Sequence, residues 1–155
     1  MPNGCEHRRT SGLAGGIFAG STALAAGAQP LQLVCESAGG YLAGRLTGTL
    51  PDIIDPATCW YHRDVGHAMV PVGAGLTWYA GQVSDWQQFC REQGRLAEVA
   101  MATAGAPLEA FVYLCRAISW YMAAGAVVGA PVGYAVHVIQ DSLTFQGVPV
   151  LLRGC

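Results

Sequence analysis

The four histidines of this 155-residue chain are the residues most able to do chemistry, because each has charged neighbours in a chain otherwise poor in charge. His7 lies in Glu-His-Arg-Arg, and His62 and His67 lie in His-Arg-Asp-Val-Gly-His. His137 precedes Asp141 by four residues. Residues spaced by four share one face of a helix, so this last pair is predicted to point the same way.

Two further aspartates lie in the segment Leu-Pro-Asp-Ile-Ile-Asp-Pro at residues 50–56. Imidazole and carboxylate groups bind zinc and other first-row metals, and the full set exceeds what one tetrahedral ion takes. Such a set suits a cluster of two or three ions that activates water and holds a phosphoryl group. The candidate metal ligands are His7, Asp52, His62, His67, His137 and Asp141.

Two more residues are candidates for the catalytic machinery. Arg63 is expected to stabilise negative charge on a reacting phosphoryl group. Asp55 is either a further metal ligand or a hydrogen-bond acceptor for one of the ligands. Simpler interpretations stay open, since an isolated histidine is usually a hydrogen-bonded structural residue. Asp52 suits a turn or a helix cap, and Arg63 with Asp64 suits a surface ion pair. Serine-triad, phosphate-loop and dinucleotide-binding motifs are absent from the sequence.

The elements that must position these residues are predicted to be helices. The first long segment without a charged residue covers residues 10–35. Gly27 and Pro30 divide this segment between two helices, and residues 51–56 form a loop. Residues 85–106 are the most polar part of the chain and are predicted as a helical insert. The final helix is predicted to bend between Gly125 and Pro131. The predicted helices cover residues 11–27, 31–48, 64–83, 85–103 and 108–141.

The order of these helices predicts a common site. If the first two form an antiparallel hairpin, His7 and Asp52 emerge at the same end. The third helix begins at that end, which brings His62 and His67 there. His137 and Asp141 join them if the chain returns through residues 85–141.

Glycines spaced by four predict close helix contacts, because small residues on one ridge let another backbone approach. Only 12% of the residues are charged and 52% are hydrophobic, which favours a compact membrane-embedded bundle over a soluble helical core. The same figures exclude a disordered chain, and a net charge of −2 argues against direct nucleic-acid binding. The glycine triples are Gly12, Gly16 and Gly20, then Gly40, Gly44 and Gly48, and finally Gly125, Gly129 and Gly133.

The six cysteines show no C-x-x-C spacing, which argues against a zinc ribbon and favours free, mostly buried thiols. Arg8 and Arg9 precede an apolar stretch, as in a signal peptide. That stretch is unusually rich in glycine, however, and the proposed site needs His7 to be retained.

The motifs around these residues resemble a known family, the bacterial and phage inner-membrane metal-dependent hydrolases of the YdjM type, also known as LexA-binding. The resemblance rests on His7, Leu50-Pro51-Asp52, His62-Arg63 with His67, and Gly133-Tyr134 with His137, Asp141 and Thr144, followed by Gly147-Val148-Pro149. The chain departs from the family at Gly66 and Ala68, which replace two hydroxyl residues, at the displaced Asp55, and at Phe145.

The resemblance implies an all-α fold distantly like zinc-dependent phospholipase C, and hydrolysis of a phosphoester, including one in a lipid. The full interpretation is a single domain, residues 1–155, in a bacterial inner membrane, with one to three divalent ions, zinc being favoured, and self-association into a homo-oligomer. The first alternative is a non-catalytic oligomeric membrane or assembly protein with a structural metal site. The second is a soluble or virion-associated helical protein with the same site.

Overall fold

The computed structural model describes residues 4–54 and 69–143, with side chains from residue 6 and from residue 73 in the respective segments. These residues are helical almost throughout and include no strand. The all-α compact bundle predicted from the sequence is therefore confirmed. The helices are α1 (Gly4–Ala25), α2 (Pro30–Thr47), α3 (Leu50–Ile54), α4 (Met69–Ala102) and α5 (Pro107–Ser142).

The turn between α1 and α2 forms where the sequence predicts it. Gly27 takes a left-handed conformation with φ of 74°. The amide of Gly27 donates to the carbonyl of Leu24, and the amide of Ala28 donates to that of Ala23. This pair of bonds is a Schellman motif, which ends a helix and favours glycine at the left-handed position. Pro30 then begins α2, where its missing amide hydrogen costs nothing.

Three helix boundaries differ from the prediction. α1 begins at Gly4 rather than near residue 11, and the acidic Glu6 in its first turn suits the positive end of the helix dipole. Pro51 and Asp52 lie in the short helix α3 rather than in a loop. Residues 69–102 form one helix where two were expected, since Ser84 and Asp85 are weak helix formers but not helix breakers.

Glycines allow α2 and α5 to pack with their backbones in contact. A methyl group added at Gly129 would meet the backbone of Gly40, and one added at Gly133 would meet the backbone of Gly44. α1 packs against both of these helices, and α4 packs against α5. The resulting bundle buries few large side chains, so the closeness of its backbones supplies much of its contact area.

A buried ion pair connects α4 to α2. The guanidinium of Arg91 donates two hydrogen bonds to the fully buried carboxylate of Glu36, at 2.8 and 2.7 Å. The side-chain amides of Gln32 and Gln87 donate to the same carboxylate, at 2.7 and 3.2 Å. Buried charges are tolerated only when they are paired and hydrogen-bonded in this way, and this pairing requires the Arg91 face of α4 to pack inward.

Replacing Glu36 by alanine should lower the free energy of unfolding by about 3–5 kcal/mol, because the largely buried Arg91 would be left without its counter-charge. Thermal and denaturant unfolding followed by circular dichroism measure this change. Glu92→Ala is the matched control, since Glu92 pairs with Arg95 at the surface of α4, the helix that carries Arg91. A loss of stability for Glu36→Ala no larger than that for the control would contradict the prediction.

The cysteine side chains that the structure describes are free: Cys35 and Cys90 are buried and Cys115 is exposed. Burial, together with the charge of Glu36, raises the pKa of the Cys90 thiol above its ordinary value. This thiol is therefore protonated at neutral pH and packs as a small apolar group.

Among the described helices, α5 is long and apolar enough to cross a membrane, with a mean hydropathy of 1.6 over its best 18-residue window. Core helices of soluble proteins meet the same criterion of length and composition. The first charge-free segment, residues 10–35, does not form a comparable single helix, because the turn at Gly27 divides it.

Candidate metal centre

Three helices bring their ends together around a pair of buried histidines. His7 lies near the start of α1, and His137 and Asp141 lie near the end of α5. Asp52 lies in α3, immediately beyond the end of α2. The α1–α2 hairpin places the beginning of α1 beside the end of α2, and α5 ends at the same place. His7, His137 and Asp141 are 5%, 1% and 3% exposed.

Asp141 lies between the two histidines. Its Oδ1 is 3.7 Å from Nε2 of His7, and its Oδ2 is 3.6 Å from Nε2 of His137. The two imidazole rings lie close together, with their centroids 4.6 Å apart and their planes inclined by 37°. One ligand atom from each of the three residues can be chosen so that all lie within 4.8 Å of one another.

The opposite nitrogen of each ring makes a hydrogen bond to an oxygen. Nδ1 of His137 lies 2.6 Å from the carbonyl oxygen of Gly48, and Nδ1 of His7 lies 2.8 Å from Oε1 of Gln140. The backbone carbonyl of Gly48 only accepts, so Nδ1 carries the proton in His137, and His7 has the same tautomer when the amide oxygen of Gln140 faces its ring. The Nε2 atoms of both rings then face the carboxylate of Asp141. Histidines that bind metals are oriented in the same way.

Two of the separations between these atoms approach those of ligands around a common ion, and each runs to a different oxygen of Asp141. Ligand atoms at about 2.0–2.1 Å from a tetrahedral ion lie about 3.3–3.4 Å from one another. The nitrogen–oxygen distances of 3.6 and 3.7 Å are close to that value and are longer than direct hydrogen bonds. The buried group His7, His137 and Asp141 could therefore hold a metal ion.

Asp52 approaches the same centre from the solvent side. Its Oδ1 is 3.4 Å from Nε2 of His137, and its side chain is 46% exposed. Among the residues that the structure describes, the centre thus has a closed side, formed by α1 and α5, and an accessible side at α3. Of the other predicted site residues, Asp55, His62, Arg63 and His67 lie outside the described residues.

Two groups at this centre were not predicted from the sequence. Gln140 orients His7, and the backbone carbonyl of Gly48 orients His137. Gln140 follows His137 by three residues, so its position on the same helix face was a usable signal. The role of Gly48 carries no side-chain signal, because only its backbone takes part.

In comparisons with known proteins, no family model, curated protein or solved structure matches this chain. The resemblance to the YdjM-type hydrolases therefore stays a prediction from the motif residues.

Proposed function

We propose that the protein is a membrane-associated, divalent-metal-dependent hydrolase of phosphoesters, located in a bacterial inner membrane. The observation that carries this proposal is the buried group of two histidines and one aspartate, with both Nε2 atoms oriented toward the same carboxylate. Nitrogen and oxygen ligands of this kind favour zinc among the common divalent ions.

Different residues of the chain would bind and orient the ion in such a site. His7, His137 and Asp141 would hold the ion, and Asp52 would contact it from the exposed side. A bound divalent ion supplies a Lewis acid that polarises a phosphoryl oxygen and lowers the pKa of water. The Nδ1 contacts to Gly48 and Gln140 keep the two rings in a fixed orientation, so little reorganisation is needed when the ion binds.

The accessible side supports a catalytic site over a structural one. Structural zinc sites are closed to solvent, whereas catalytic sites keep a position that water or a substrate can reach. The half-exposed Asp52 side chain lies on the side of this centre that a substrate can reach.

The surface supports the membrane association. Large hydrophobic side chains are exposed along the described helices, including Ile17, Leu46 and Leu108 at 68%, 71% and 76% exposure. Extensive apolar surface of this kind marks contact with lipid or with another protein. Lipid around the bundle, together with self-association into a homo-oligomer, would cover it.

Metal analysis of the full chain, purified in detergent, tests the proposal most directly. We expect at least one zinc or similar ion per chain, and hydrolysis of bis(p-nitrophenyl) phosphate that stops on chelation and returns when metal is added. A chain that binds no divalent ion at stoichiometric level would overturn the proposal. Release of the protein into buffer without detergent would overturn its membrane part.

The exposed apolar surface also suits a second candidate, a non-catalytic oligomeric membrane or assembly protein with a structural metal site. This candidate predicts bound metal and a stable oligomer, but no hydrolysis of any phosphoester. Metal-dependent hydrolysis at the site of His137 would exclude it.

Metal removal should lower the melting temperature of the protein. An ion that binds only the folded chain stabilises it by about 2.7 kcal/mol when its free concentration is 100 times its Kd. Thermal unfolding with a chelator and with added zinc measures the difference. His137→Ala is the control and should respond to neither addition; an equal zinc response in that variant would place the ion elsewhere.

A further inference from the structure

A half-open cleft of about 330 Å³ lies directly beside the candidate metal centre. It shares Asp52 with that centre, so an ion held there would lie next to it. Its other lining residues combine two guanidinium groups with apolar side chains. Among the described residues, the lining consists of Arg8, Arg45, Leu46, Thr49, Asp52 and Ile53.

The two arginines reach the cleft from different helices. Arg8 follows the candidate ligand His7 in α1, and Arg45 lies in the last turn of α2. The Arg45 guanidinium donates to the hydroxyl of Tyr41 at 3.3 Å, which uses one of its five donors. Most of its N–H groups are therefore available to an anion in the cleft.

The charges of the cleft favour an anion once the metal centre is loaded. Asp52 is the acid among the described lining residues, and its Oδ1 faces Nε2 of His137. An ion at the centre would offset that carboxylate and leave Arg8 and Arg45 in excess. Two guanidiniums beside a divalent ion are a common arrangement for recognising phosphate oxygens.

We propose that this cleft binds the phosphate group of the substrate, with Arg8 and Arg45 as its binding residues and an apolar substituent resting on Leu46 and Ile53. The inference rests on the proposed function and extends it, because it names the substrate class as phosphate esters that carry an apolar group. Leu46 and Ile53 are 71% and 67% exposed at the border of the cleft, which supplies the apolar contact.

Calorimetric titration of inorganic phosphate into the zinc-loaded full chain in detergent tests the anion site. Arg8→Gln and Arg45→Gln should each weaken phosphate binding by about tenfold, as expected for loss of charged hydrogen bonds, and Arg45→Lys should restore part of it. Arg9→Gln is the matched control, because Arg9 is exposed in the same turn of α1 but does not line the cleft.

Unchanged affinity in Arg8→Gln and Arg45→Gln, or an equal loss in Arg9→Gln, would overturn the inference. Metal content measured on the same samples separates this failure from failure of the proposed function. Absence of bound metal from the purified wild-type protein would refute the proposed function. If the protein has full metal content but its phosphate affinity is unchanged in Arg8→Gln and Arg45→Gln, only the proposal for the cleft is refuted.

A second titration distinguishes the possible sources of the phosphate group. Dihexanoyl phosphatidic acid carries the same group on a lipid, and tighter binding of this probe than of inorganic phosphate would assign a lipid substrate. Equal binding of the two probes would assign a soluble phosphate ester and overturn the role of Leu46 and Ile53. In either case the arginine variants decide whether the cleft holds the anion.

Discussion

An Asp141→Asn variant should lose its bound metal while keeping its fold. Asparagine has nearly the same size as aspartate, so the helix ends can stay packed, but the buried negative charge between His7 and His137 disappears. Changes in groups that only orient metal ligands typically cost 10- to 100-fold in affinity, so loss of a ligand charge should cost more than about 100-fold. Zinc titration with a competing chelator measures the affinity, and phosphoester hydrolysis should fall with it.

Two variants on the same helix sharpen this experiment. Glu109→Gln removes the same charge from the exposed first turn of α5 and should leave zinc affinity unchanged. Gln140→Leu removes the acceptor for Nδ1 of His7 and should weaken zinc binding by about 10- to 100-fold. Zinc affinity in Asp141→Asn within a few-fold of wild type would contradict the assignment of this residue as a ligand.

The position of the candidate centre could be predicted because local signals determine the hairpin. Gly27 and Pro30 mark where α1 ends and α2 begins, and both signals act within a few residues. Once the hairpin exists, the beginning of α1 and the end of α2 are adjacent. The spacing of His137 and Asp141 then requires only that α5 end at the same place.

The contacts between distant helices could not be predicted in the same way. Glu36 is the only acidic residue in α2, but its partner Arg91 lies 55 residues later in the sequence. Which arginine reaches it depends on the rotation of α4, and that rotation is determined by tertiary packing. The joining of residues 69–102 into one helix has a similar origin, since helix propensity near Ser84 is too weak to decide it.

The glycine spacing predicted close helix contacts but did not specify which helices meet. The first triple faces mainly side chains of α2, where an added methyl group at Gly12 would lie 3.0 Å from Cε2 of Tyr41. The third triple faces α2 as well, and there the neighbours are backbone atoms. Substitutions at the two surfaces should therefore differ in severity, because side chains can move aside and backbones in packed helices cannot.

Replacing Gly133 by alanine should destabilise the fold and weaken the metal site together. The new methyl group would collide with the backbone of Gly44, so α5 must shift away from α2. Overpacking of this kind typically costs about 1–3 kcal/mol, and a collision between backbones belongs at the upper end of that range. Because His137 lies one turn beyond Gly133, the same shift moves its Nδ1 away from the Gly48 carbonyl.

Gly81→Ala supplies the matched control, because an added methyl group there meets nothing within 4 Å. Alanine in an exposed helix interior should raise the free energy of unfolding by about 0.5–1 kcal/mol. Denaturant unfolding and zinc titration on both variants measure the two effects. If Gly133→Ala lost stability but kept wild-type zinc affinity, contact between α2 and α5 would not position His137. The combined loss is expected because the glycine contacts and the Gly48 hydrogen bond lie one turn apart on the same pair of helices.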